Sequence, residues 1–405
     1  SPTLKMTKLL SASEKGDIQK VEDLLNKGTD VNAVDTRKKE ALLFASEFGH
    51  KDIVKVLLDK GADIKARDKD GNSALMFSAL GNSKDIVKIL LDKGAEIDAK
   101  NDHGATALML ASETGNIDIV NTLLDRDPII NAQNKKGRTA LMHAVYHGHL
   151  DIFKALLNRG ANVDICTNKG ETALIFASER GYTGIIETLL DRGADINVKL
   201  TDRHASTALR IAQKHSNTEV VKLLLERGAD VNVSGLKMEE ILIAAVVIGK
   251  TKIVKSLLNQ GTKTNKPDKE GKTVLILATE SGHEEIVKIL LKNDANKNVQ
   301  DKEGKTALMY AVDKGDKGIV KILVESGADI NLKNVESETA LMFAVMNGHI
   351  EIVKNLLSKG AEVNIIAKNG ITALSIAESK KYSEIIKLLK QAGAKSDAVD
   401  IIFFD

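Results

Sequence analysis

Tryptophan is missing from the 405 residues, aromatics make up 3%, and proline occurs only at Pro2, Pro128 and Pro267. Large irregular cores lean on big aromatic fillers, so this composition points to Leu, Ile, Val and Ala packed between short helices. Cysteine is limited to Cys166, which excludes an intrachain disulfide and fits a reducing compartment, so the expected location is cytoplasmic. No apolar run approaches the roughly 18 residues of a membrane span. Nor is there a charge of one sign: the net value is +2, which gives no bulk reason to expect nucleic acid or an anionic membrane as partner.

What is present is one pattern, repeated. "TALMLASETGNIDIVNTLL" (Thr106 to Leu124) returns as "TALMHAVYHGHLDIFKALL" (Thr139 to Leu157) and "TALIFASERGYTGIIETLL" (Thr172 to Leu190), each 33 residues after the last. Extended both ways, this period gives about twelve units over residues 1–396, read as a single array. Thr before the first helix reads as a side-chain cap, and the alanines after it let that helix lie close to its neighbours. Gly-His or Gly-Asn ends it. "DIVKILLDKGA" is a second amphipathic helix, and "GADIN…DKDG" an extended turn. Neither helix buries its apolar face alone, so adjacent units must stack into an all-α solenoid of paired antiparallel helices joined by hairpin-like turns.

The motifs "TALM", "GH" (as Gly148-His149) and "GADIN" closely resemble the ankyrin repeat family, and the resemblance covers about residues 5–395. Ala stands where that family prefers Pro at the first helical position. The end repeats read as caps, with Lys5, Lys8 and Glu14 at one end and Lys380, Lys381, Lys387 and Lys390 at the other. Residues 397–405 form an apolar tail beyond the period, with Ile401, Ile402, Phe403 and Phe404 expected to fold back on the last repeat; a docking peptide or a membrane-proximal stub is the alternative. One stretch breaks the register: two extra residues enter within Val198 to Ser206, the next unit lacks its Thr cap, and the irregularity runs over 198–240, which reads either as a hinge between two half-arrays or as a binding loop.

Chemical motifs fail their tests. Three "GKT" triplets begin at Gly249, Gly271 and Gly304, but a phosphate loop needs a Gly five residues earlier, where Ala244, Lys266 and Val299 stand. No activated nucleophile or cofactor motif is present. The lysine column that includes Lys55, Lys88, Lys288 and Lys354 reads as a solvated face beside acidic residues such as Glu285. His143 and His147 sit four apart, the spacing of a helical metal pair. The resemblance instead assigns His143 to the family's Thr-Pro-Leu-His histidine and His149 to its Gly-His one, both structural. His147 alone is then an addition, and no metal is assigned.

What the resemblance implies is a non-catalytic protein–protein interaction scaffold, monomeric, with its partner in the groove lined by first helices and turn tips. The alternative is a regulatory or targeting subunit or domain of a larger assembly. The two residues before the Gly of each "GH" position are those the fold leaves free. By residue type, the expected partner-binding set is Phe48, Leu80, Glu113, Tyr146, His147, Arg180, Lys214, His215, Val247, Ile248 and Met346, because aromatics and Arg commonly anchor interfaces. Val247 and Ile248 beside Lys214 and His215 stand out, as apolar groups where solvent is expected.

Overall fold

The computed structural model describes residues 1–396; the 397–405 tail, with the expectation that it folds back, lies outside the described residues. Among the described residues the chain forms 24 helices, two per repeat, and no strand. The all-α expectation is borne out, and no described helix is long and apolar enough to cross a membrane.

Repeat five illustrates why the unit folds. Thr139 has extended backbone, and its hydroxyl accepts from Met142 N at 3.3 Å, capping the helix Ala140–Tyr146. Thr106, Thr172, Thr207, Thr306, Thr339 and Thr372 do the same in their repeats. Ala140 and Ala144 are buried, and so are Ile152, Phe153 and Leu156 on the second helix Leu150–Asn158. The two helices pack against each other and against their counterparts in neighbouring repeats.

Turn tips are tied across repeats by backbone bonds. Asp102 N donates to Asp70 O, Lys135 N to His103 O and Asn168 N to Lys136 O, at 3.0–3.1 Å. Gly104 (φ +76°) permits this: a Cβ there would lie 2.9 Å from Lys135 N. In the widened segment after Val198 the tie persists, Thr201 N donating to Lys169 O at 2.9 Å. The extra residues are absorbed in a loop where Asp202 accepts from the Ser206 hydroxyl at 2.6 Å.

The chain divides into two compact units after Asp230. The first holds repeats one to seven and the second repeats eight to twelve. Within each, first helices stack on first helices and second helices on second. The terminal lysines named above are exposed. Lys288 faces Glu285 at 3.4 Å and Lys354 faces Glu351 at 3.5 Å, exposed pairs of a few tenths of a kcal/mol.

Candidate interaction surface

Each expected contact residue falls in the last turn, or at the C-cap, of a first helix. Phe48 and Leu80 are 49% and 42% exposed, as apolar groups open to a partner should be. Glu113, His147, Arg180, Lys214 and His215 are also exposed, whereas Tyr146, Val247, Ile248 and Met346 are half-buried. The picture of apolar groups standing free in solvent therefore needs correcting for those last four. The reason is local packing.

Tyr146 is the centre of a stack. Its ring meets Phe176 edge-on at 5.8 Å, with the Arg180 guanidinium at 5.1 Å and that of Arg138 at 5.7 Å. Beside it, His147 lies edge-on to Tyr146 at 5.2 Å, and its Nε2 is 3.8 Å from Glu113 Oε1 in the preceding repeat. Four expected residues from repeats four to six, Glu113, Tyr146, His147 and Arg180, thus come together on one face.

The Gly-His histidines bridge repeats. His149 Nε2 donates to Glu113 O at 3.0 Å, and His50 does the same to Glu14 O at 2.8 Å. Gly115 (φ +86°) makes room for the His149 ring, since a Cβ there would lie 2.6 Å from Cε1.

His143 departs from its expected role. With Thr139 as cap, the family's Thr-Pro-Leu-His positions fall on Thr139, Ala140, Leu141 and Met142, one residue short of it. At the same place the other repeats carry Phe44, Phe77, Phe176, Tyr310 and Phe343 among others. His143 is half-buried, and burial pushes its pKa down, with Arg138 and His147 acting the same way against Glu113. The carboxylate and imidazole donor atoms of Glu113, His143 and His147 all lie within 4.8 Å of one another.

In the second unit, Val247 and Ile248 end the helix Met238–Ile248, and His283 Nε2 donates to Val247 O at 2.9 Å. That contact helps cover the pair. Lys214 and His215 close the helix Ala208–Lys214 of repeat seven.

One recurring feature was not expected. A cation directly before the cap position lies over aromatic rings of its own or the next repeat. Lys39 sits 4.3 Å from Phe44 and 4.4 Å from Phe77, and Lys305 4.3 Å from Tyr310 and 5.3 Å from Phe343. Arg138 lies 5.3 Å from Phe176. Such contacts contribute about 0.5–2 kcal/mol, more where water is excluded. The signal was available as a basic residue before the cap with an aromatic five residues on, or in the following unit. Tyr310 also donates to Asp301, and burial together with that carboxylate holds its hydroxyl protonated far above the usual phenol range.

Comparison with known families gives one result. A family model described as ankyrin repeats, three copies per match, aligns with residues 9–101, 95–167, 159–235, 241–334 and 331–400. No curated protein matches the chain.

Proposed function

Because the chain belongs to the ankyrin repeat family, whose repeats are protein–protein interaction modules and typically non-catalytic, we propose that it is a non-catalytic scaffold binding a protein partner. The partner lies along the face formed by the ends of the first helices. The observation that carries this reading is the group Glu113, Tyr146, His147 and Arg180. The repeat's own geometry demands none of these residue types, yet they meet on consecutive repeats. Tyr146, held between Phe176 and two guanidinium groups, is a pre-ordered aromatic anchor of the kind that concentrates interface energy. Phe48 and Leu80 extend the face through earlier repeats. Lys214 and His215 belong to repeat seven, and Val247, Ile248 and Met346 supply apolar contacts in the second unit.

The same reading treats residues 1–396 as one array working as a monomer in the cytoplasm. The 33-residue register on both sides of 198–240 supports the first point, and a single exposed thiol, Cys166, fits the last.

A pull-down from native extract with quantitative mass spectrometry tests the surface. Tyr146→Ala with Arg180→Ala, and separately Val247→Glu with Ile248→Lys, should deplete a common partner at least tenfold while the helical circular dichroism is kept. An unchanged partner set in both variants overturns the surface.

A further inference from the structure

We propose that Glu113, His143 and His147 form a three-ligand site for a divalent transition-metal ion, Zn²⁺ foremost, with the fourth coordination position open to solvent. The proposal concerns the same face as the partner surface but does not depend on any partner binding there.

Three observations carry it. First, the donors converge: two imidazoles four residues apart from repeat five and one carboxylate from repeat four, all within 4.8 Å of each other. A tetrahedral zinc with bonds of about 2.0–2.1 Å needs donor separations of about 3.3 Å, so the set must close by roughly 1.5 Å at its widest. Rotamer changes of the exposed members can supply that movement, since the side chains of Glu113 and His147 are 47% and 37% exposed. Two imidazoles and a carboxylate suit zinc, with copper and nickel as competitors, and hard ions such as Mg²⁺ poorly.

Second, the unit does not account for these histidines. His143 occupies a place where other repeats put Phe44, Phe77, Phe176, Tyr310 or Phe343, so a polar ring there abandons packing those repeats use. His147 is likewise at a position the fold leaves free.

Third, the surroundings hold the ligands in place. His149 is already committed, its Nε2 donating to Glu113 O, so it anchors the backbone of one ligand. Its ring also stacks on His147 at 6.0 Å and an interplanar angle of 22°. Tyr146 packs edge-on against His147 at 5.2 Å. Arg138, a cation that would oppose a metal, is engaged over Phe176 and Tyr146. Without a metal the same three groups amount to one exposed His147–Glu113 contact at 3.8 Å, which leaves His143 unexplained.

The test is a calorimetric Zn²⁺ titration of the full chain after EDTA treatment and dialysis, repeated with Co²⁺ while its visible absorption is recorded. Wild type should bind one ion per chain, with the intense absorption of a four-coordinate cobalt site. His143→Phe, His147→Ala and Glu113→Gln should each weaken binding by at least the roughly 10–100-fold that loss of an outer partner costs a metal site. His103→Ala, outside the cluster, should leave it unchanged. Binding should weaken as the pH is lowered from 7.5 to 5.5, because protons compete for the imidazoles. His143→Phe restores the residue type of sister repeats and is expected to fold; His143→Gln replaces it if circular dichroism says otherwise. No binding by wild type, or undiminished binding in any of the three ligand variants, overturns the assignment.

Discussion

Repeat five begins its first helix at Ala140 under a working Thr139 cap, whereas repeat eight begins at Met238, three residues before the equivalent Ile241, with no side-chain cap. In repeat five the scaffold rules hold and the departures are side chains of the first helix and its C-cap: His143, Tyr146, His147. In repeat eight the scaffold itself has changed. The first helix runs 11 residues instead of seven, and Glu239 and Glu240 in its first turn take over from the missing hydroxyl by favouring the positive helix end. In repeats four, five and six the last turns of the first helices lie in register, so their side chains can converge. Extending the helix at its start leaves the far end in place, where Val247 and Ile248 still fall on the expected positions.

The comparison is broken most severely at Phe176. This ring is 1% exposed and forms the floor of the Tyr146 stack; repeat eight has Ala244 at the matching position and no aromatic to lose. Phe176→Ala should cost about 3–5 kcal/mol, read as a lower denaturant midpoint. Amide exchange should quicken over residues 140–146 while residues 238–248 keep their protection. Equal acceleration in both helices would show that the stack does not give repeat five its local order.

Repeat two supplies an intermediate case. The helix Ala41–Glu47 starts in register, but its cap residue is Glu40, which makes no side-chain cap bond. Burial, aided by the negative charges of Asp63 and Asp30, raises its carboxyl pKa from 4.5 to about 7. In the folded protein Glu40 therefore holds its proton more tightly than in the unfolded chain. Its contribution to stability is fully present below about pH 4.5 and is lost as the pH rises through 7. Glu40→Thr removes that loss and restores the cap. The variant should exceed wild type by on the order of 2 kcal/mol at pH 8, with a smaller difference at pH 4. A pH-independent difference in chemical denaturation would mean that Glu40 ionises in the fold as freely as in water.

The features legible in the sequence are those that repeat. Thr caps, buried alanines and the amphipathic second helix each recur every 33 residues, so one copy corroborates another. The candidate face was legible in part, because Phe48 and Leu80 do stand exposed and Glu113, Tyr146, His147 and Arg180 do meet. What escaped depends on contacts between repeats. Tyr146 is half-buried because Phe176 arrives from the next unit, and Val247 is partly covered because His283 does. His143 was misplaced by one residue against the family pattern; the cap bond of Thr139 to Met142 fixes that register, and with it the histidine lost a structural explanation. The longer helix of repeat eight was hidden for a related reason: a missing Thr announces that a cap is absent, without saying where the helix starts instead.

The smallest effect sharpens the comparison from the capping side. Thr139→Ala should destabilise by about 1 kcal/mol, the usual cost of losing a hydroxyl cap. In repeat eight the sign should reverse. Lys237 occupies the cap position without capping, and Glu240 already stands at the third helical residue, so Lys237→Ser would complete a reciprocal Ser-x-x-Glu box. It would give up the exposed Lys237–Glu240 contact at 3.9 Å, worth a few tenths of a kcal/mol. A gain of about 0.5–1 kcal/mol is expected in urea denaturation, with slower amide exchange at Glu239 to Ile241. A loss would mean that the early start at Met238 is imposed by packing of the helix body and that its first turn has no use for a cap.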